Sequence, residues 1–290
     1  MPDFLIGTGR CGSTLAYEVL AHHPQVSFVS RLDNRWPRAP RPLRRHGGTI
    51  YRRLPSALAA RSRLRLGPSE AYPALAREVS AVMTDPYRDL HAEDVTPWLA
   101  QRLRTFFDGR AAPGTRLVHK FTGWPRAAFL HEVFPEARFV HMVRDGRAVA
   151  NSLAQMPWWR GHRGTPGWRF GPLPAGYAEE WERGDQCLVL LAGLGWKAMM
   201  DAYEAARAAV PSGQWLEIRY EDLLRDPRKH MELILGFYDL PWTRDFELAL
   251  DRMRFSTARA EAYRTDLTPR QLALLDASLA AHLHRYGYHT

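Results

Sequence analysis

The sequence predicts an α/β fold, a parallel sheet flanked by helices with a helical and loop insertion on one side. Two observations predict it. Short β-like apolar runs alternate with longer stretches of helical periodicity, and the same strand–loop–helix pattern occurs twice, at Phe4–His22 and at Arg138–Gln155. A chain of 290 residues is long enough for one large α/β domain by the usual scale of about 150 residues per domain, and the reading taken here is one domain over 1–290.

The elements follow in order. Phe4-Leu5-Ile6 reads as a buried strand, Gly7 to Gly12 as a glycine-rich turn, and Ser13 to His22 as a helix stopped before Pro24. Val26 to Val29 suits a second strand. Residues 35–70 are rich in Pro and Arg with poor periodicity, while 72–83 and 94–107 look helical, so 31–115 reads as an insertion over the sheet. The densest basic cluster, Arg35 to Arg65, is broken by Pro37, Pro40, Pro42 and Pro55, which suits a loop or lid. Alternation resumes with strand Arg116–Lys120, helix Pro125–Phe134, strand Arg138–Val143 and helix Gly146–Gln155. Residues 157–176, rich in Trp, Gly and Pro, form a second insertion or lid. Trp158, Trp159 and Trp168 there fit either an acceptor lid or packing against a neighbouring helix. Tyr177–Ala209 reads as one or two helices and Trp215–Ile218 as a strand. Thr268 caps a terminal helix that has Pro269 at its first position and runs to about His284.

Composition narrows the function classes. Hydrophobic residues make up 46% and charged residues 24%, values of an ordinary globular chain rather than a disordered or fibrous one. Cys187 to Trp196, the only strongly apolar run, is too short to cross a bilayer, and no basic leader opens the chain. Cys11 and Cys187 are too few for a disulfide framework and have no neighbours at metal-ligand spacing, so the expected compartment is the cytoplasm. The net charge of +9 would suit nucleic acid, a membrane surface or a small anion. Lysine occurs only at Lys120, Lys197 and Lys229, so the excess is arginine and reads chiefly as a solvated surface.

The chemistry is concentrated in two loops. Gly7-Thr8-Gly9-Arg10-Cys11-Gly12-Ser13-Thr14 lies between strand and helix, where backbone N–H groups converge on an oxyanion in a P-loop-like manner. Its glycines have the G-x-x-x-x-G-K-[ST] spacing, but Ser13 stands at the lysine position, followed by Thr14. Arg10 can supply the missing cation, and the expected ligand is a nucleotide with a tail other than a triphosphate. Cys11 lacks the Arg six positions on that a phosphatase nucleophile needs, since Tyr17 is there, and reads as a small loop residue. In the second loop, Val143-Arg144-Asp145-Gly146-Arg147 ends a strand and opens a helix containing Ser152, so that Arg144 and Ser152 can grip a second phosphate.

These residues resemble the sulfotransferases that use 3′-phosphoadenosine 5′-phosphosulfate. The first loop looks like their 5′-phosphosulfate loop and Val143 to Ser152 like their 3′-phosphate motif. The similarity extends to Val118-His119-Lys120, Phe134 to Phe139, and Arg219-Tyr220-Glu221-Asp222-Leu223, and is closer to the carbohydrate and tyrosylprotein branch than to the cytosolic phenol and steroid branch. It implies that Gly9, Arg10, Cys11, Gly12, Ser13 and Thr14 hold the 5′-phosphosulfate, that Arg144 and Ser152 hold the 3′-phosphate, that Tyr220 lies near the adenine, and that Lys120 is the catalytic lysine. It also implies transfer to a hydroxyl of a small-molecule, natural-product or carbohydrate acceptor, with no metal and no nucleic-acid partner. No sequence signal bears on the oligomeric state.

The chain departs from that pattern in two places. The glutamate that follows the second strand in the tyrosylprotein branch is Arg31 here, and the histidine two residues after the lysine in the cytosolic branch is Thr122. Asp33, on the same side of an extended segment as Arg31, is the substitute base; its alternative role is a pair with Arg31 or Arg35 or a turn cap. His119 is a lesser choice, since alternation points it away from Lys120. A C-terminal lysine that holds the 3′-phosphate in many members is replaced by Ala262, leaving Arg259 or Arg264 for that role. Two other readings stay open: a P-loop kinase in which Asp145 holds Mg²⁺, and a non-catalytic polyanion binder.

Overall fold

The computed structural model describes residues 1–53 and 66–289. Five parallel strands, β1 (Pro2–Gly7), β2 (Val26–Ser27), β3 (Arg116–Thr122), β4 (Phe139–Val143) and β5 (Trp215–Arg219), form one sheet in the order β2-β3-β1-β4-β5. The first strand is central, so its C-terminal end opens between two neighbours reached by different crossovers. In open parallel sheets that is where a ligand crevice forms.

Helices α1 (Ser13–Ala21), α2 (Arg31–Arg35), α3 (Arg41–Arg53), α4 (Tyr72–Glu78) and α5 (Pro97–Asp108) lie between β1 and β3, with α6 (Ala127–Val133) before β4 and α7 (Gly146–Ala154) after it. Then come α8 (Ala175–Arg183) and α9 (Leu188–Ala209); after β5 follow α10 (Tyr220–Arg225), α11 (Pro227–Phe237), α12 (Arg244–Asp251) and α13 (Pro269–Arg285). Strand alternation divides the core. Phe4, Ile6, Leu117 and Phe121 pack on one face against Leu103, Phe107, Phe129 and Leu130 of α5 and α6. Leu5, Val118, Val140 and Met142 pack on the other against α1, α11 and α12. A third cluster joins α7, α9 and α13 through Trp196, Leu191, Val149, Leu275 and Leu279. Each such fully buried side chain contributes roughly 1.5–3 kcal/mol.

Two segments differ from the sequence reading. The second strand stops at Ser27, because the chain beyond it leaves the sheet to pair with 67–69: Ser69 N–H donates to the Val29 carbonyl and Arg31 N–H to that of Gly67. Residues 41–53, expected as loop, form α3. Leu43, Gly47, Ile50 and Tyr51 make its inner face, and Gly47 and Gly48, which mimic a turn in the sequence, let it lie close against Ser30 and Phe28. Tyr177–Ala209, read as one or two helices, is two, broken where Asp185 and Gln186 take left-handed backbone. The part of the Arg35–Arg65 cluster at 54–65 lies outside the described residues. Among those described, no helix is long and apolar enough to cross a membrane.

Candidate active site

A cleft of about 860 Å³ opens at the C-terminal ends of β1, β3 and β4. At one end the first loop turns through left-handed backbone at Gly9, Arg10 and Gly12, with φ of 80°, 56° and 86°, which aims successive N–H groups at one point. Gly12 caps α1 with no side-chain bond, so the first N–H groups of that helix are left for a ligand. The glycine is required sterically as well: a Cβ there would sit 2.0 Å from the Tyr220 ring.

The two loops meet. Arg10 Nε donates to Ser152 Oγ at 2.9 Å, and Arg144 Nη1 donates to the Arg10 carbonyl at 2.8 Å. The Arg144 guanidinium lies 4.9 Å over the Tyr220 ring, with Nη2 on the Arg259 carbonyl and a buried Nε–H that has no partner among the described residues. Burial, followed by the Arg144 and Arg259 charges, holds the pKa of Arg10 below its ordinary value. Charge of one sign gathered here favours an anion. The sequence reading gave Arg10 to the first phosphate, whereas its side chain reaches the serine expected at the second.

Lys120 stands in the middle, on the face of β3 that looks toward α1, while His119 points the opposite way. The Lys120 ammonium donates to Thr14 Oγ1 at 2.8 Å and lies 3.3 Å from Glu70 Oε1, which also accepts from Thr122 Oγ1 at 2.6 Å. Both contacts fall on one oxygen of Glu70 and leave Oε2 free among the described residues. Glu70 was missed in the sequence because it sits in no motif. It reaches the cleft through the 67–69 pairing, which sets it beside the exit of β2, where the resembling branch carries its glutamate. His119 is fully buried between Phe107 and Phe121, and burial pushes its pKa down to about 3. The Tyr72 phenol donates to the Thr122 carbonyl at 3.0 Å, and burial raises its pKa.

Asp33 is not brought to this cleft. The alternation argument fails because 31–35 is helical: the Asp33 carboxylate closes a capping box with Ser30 and receives Arg110 Nε at 2.8 Å, both side chains at most 2% exposed. Asn at this position is expected to cost roughly 3 kcal/mol in urea unfolding, the low end for a broken buried pair because Glu78 also holds Arg110. Turnover per folded molecule should stay within about twofold, since structural pairs act on stability alone; full stability with lost turnover would return Asp33 to the reaction.

Other expected residues divide. Arg264 is exposed and stacks on Tyr263, outside the cleft, whereas Arg259 lines it. Cys11 is buried behind the loop against Gly7. Trp159 and Trp168 pack in the third core cluster, and Trp158 alone lines the cleft. Asp145 is the N-cap of α7, and its carboxylate is engaged by Arg147 at 2.7 Å and by the Tyr263 hydroxyl at 3.3 Å. Among the described residues no group of three or more His, Cys, Asp or Glu side chains could hold a metal ion.

The cleft lining carries six cationic side chains, Arg10, Lys120, Arg126, Arg144, Arg169 and Arg259, against the two carboxylates Glu70 and Asp266. Asp266 is held by Asn151 at 2.8 Å. Toward the far end the walls turn apolar, through Tyr72, Pro86, Trp124, Met156, Trp158 and Phe170.

Comparison with known proteins bears on this geometry. A family model described as the sulfotransferase family matches residues 2–244. An omega-hydroxy-beta-dihydromenaquinone-9 sulfotransferase of Mycobacterium bovis is 30% identical over 169 residues, covering 56% of this chain and 38% of that protein. Protein-tyrosine sulfotransferase A of Caenorhabditis elegans is 27% identical over 116 residues, 40% of this chain and 25% of that protein. The matched region thus spans well under half the length of these curated relatives. The crystal structure of sulfotransferase STF9 from Mycobacterium avium shares the fold, with a TM-score of 0.58 at 17% identity over 99% of this chain and 77% of that one.

Proposed function

The chain belongs to the sulfotransferase family, and from that premise we propose that it moves a sulfuryl group from 3′-phosphoadenosine 5′-phosphosulfate to a hydroxyl of a small-molecule acceptor in the cytoplasm. One observation carries the reading: two phosphate-binding stations on separate strand ends, Gly9–Thr14 and Arg144–Ser152, are joined by Arg10 and share one cleft with Lys120. The residues fit the donor. The loop amides, Ser13 and Thr14 would hold its 5′-phosphosulfate, Arg144, Ser152 and Arg10 its 3′-phosphate, and Tyr220 its adenine, with Arg259 in the place expected of Arg264.

The donor supplies an activated sulfuryl group on a phosphate leaving group. As the S–O bond to phosphate breaks and the new S–O bond forms, Lys120 and the α1 N-terminus stabilise charge growing on the departing oxygen. Glu70 Oε2 takes the proton of the acceptor hydroxyl. Both insertions serve the acceptor: 31–115 brings Glu70, Tyr72 and Pro86 to the cleft, and 157–176 brings Trp158, Arg169 and Phe170. These apolar walls suit a flat apolar acceptor body, whereas the Asp145 required by the kinase reading is engaged by Arg147.

Calorimetry with adenosine 3′,5′-bisphosphate in the presence of a chelator tests the reading. Binding at micromolar or lower Kd, on the order of −8 kcal/mol, is expected. A requirement for Mg²⁺ with preference for ATP would overturn it in favour of a kinase, and a steep salt slope on heparin with no nucleotide binding in favour of a polyanion binder.

A further inference from the structure

We propose that the acceptor is an acidic compound, a flat apolar body bearing a carboxylate or phosphate, and that Arg126 binds its anionic group. The inference rests on the sulfotransferase reading of the cleft and names the substrate class for it.

Four arginines are buried among the described residues: Arg110, Arg126, Arg144 and Arg147. The two outside the cleft are paired with carboxylates. Arg110 meets Asp33 at 2.8 Å and Glu78 at 2.9 Å, and Arg147 meets Asp145 at 2.7 Å and Asp276 at 2.8 Å. The two that line the cleft are not. Arg144 rests on two carbonyls at the donor end. Arg126 also rests on two, those of Trp124 at 2.9 Å and Asp85 at 3.3 Å, and its buried Nε–H has no partner among the described residues. An uncompensated buried charge is costly, which is why buried arginines are normally paired.

Local compensation is weak: the guanidinium carbon lies 5.8 Å from the centroid of the Phe121 ring, and no ion pair joins it to a carboxylate among the described residues. Arg126 caps the start of α6 in left-handed backbone, with φ of 52°, which places a cation at the end of the helix that disfavours one. Asp89 attracts it without pairing with it: its carboxylate accepts the Arg126 backbone N–H at 2.7 Å and not a guanidinium N–H. That bond fixes the position of Arg126 without answering its side chain. The donor explains Arg144 and leaves Arg126 over, beyond the end of β3 past Gly123 and Trp124. Around it Tyr72, Pro86 and Trp124 offer flat apolar surface. A guanidinium with three unused N–H donors beside such walls matches an oxyanion carried on a planar ring.

The test titrates 2-naphthol, 6-hydroxy-2-naphthoate and 2-naphthyl phosphate into the protein by calorimetry, with and without saturating adenosine 3′,5′-bisphosphate. At least one acidic probe is expected to bind about tenfold tighter than 2-naphthol, and whichever acid binds tighter identifies the oxyanion. Arg126→Gln should bring that ratio to about one, Arg126→Lys should lower it severalfold through loss of the planar fork, and Arg183→Gln, the same loss of charge at an exposed residue outside the cleft, should leave it in place. Equal or tighter binding of 2-naphthol to the wild type would overturn the proposal. So would a ratio that survives Arg126→Gln or vanishes with Arg183→Gln. Should the Gln variant not fold, the Lys variant decides, and an unchanged ratio there overturns it. Failure of the nucleotide to bind strikes the donor assignment alone, because the probe ratio is read without nucleotide as well.

Discussion

Replacing Lys120 by Ala lowers kcat about 10²–10³-fold, the loss expected when one preorganised donor to a developing oxyanion is removed. The side chain is 8% exposed, and among the described residues its ammonium touches only Thr14 and Glu70, so the substitution leaves no fully buried charge behind. Glu70 is 25% exposed and keeps its bond from Thr122. Stability should therefore change little, which circular dichroism and thermal unfolding would check. Affinity for adenosine 3′,5′-bisphosphate should stay within a few-fold, because the proposed far-phosphate grip of Arg10, Arg144 and Ser152 is untouched. The effect then lies in kcat rather than KM, the pattern of an interaction strengthened in the transition state. Turnover that survives the substitution would remove Lys120 from the reaction.

The two loops proposed for the donor were legible in the sequence and the residues proposed for the acceptor were not, for a physical reason. Backbone amides that grip phosphate need particular φ values and a strand-to-helix turn, so their requirements are written locally as glycines, hydroxyls and an arginine within eight residues. The Thr268 cap and the split of β3 into a Lys120 face and a His119 face follow from equally local rules. Glu70 and Arg126 obey none of them. Glu70 is placed by hydrogen bonds between residues 29–31 and 67–69, a pairing across an insertion that no periodicity foretells. The burial of Arg126 emerges only when α6 and the Asp85–Asp89 segment come together. Asp33 shows the converse: proximity to Arg31 made it look available, but a capping box and Arg110 had claimed its carboxylate. The helix at 41–53 was hidden because the prolines around it and its poor periodicity read as a loop, whereas in the packed chain Gly47 and Gly48 let it approach Ser30 and Phe28.

Glu70→Gln separates the base from its surroundings more sharply than removal of the side chain would. Lys120 and Thr122 both contact Oε1, and the amide oxygen of Gln can keep both contacts. What the substitution takes away is the basicity of the second oxygen. Fold, donor affinity and acceptor KM should all hold, while kcat falls about 10²–10⁴-fold, the usual contribution of a positioned general base. The other carboxylate lining the cleft, Asp266, is held at the donor end by Asn151 and Gln155 and is not placed to take over. Steady-state kinetics of the Gln variant against a hydroxylated acceptor is the measurement, with Glu70→Asp beside it, whose carboxylate is retained but withdrawn by one methylene. If the Gln variant keeps kcat within about threefold of wild type, well below the usual contribution of a base, proton removal is left to water. The Lys120–Glu70 contact would then do no more than orient the lysine.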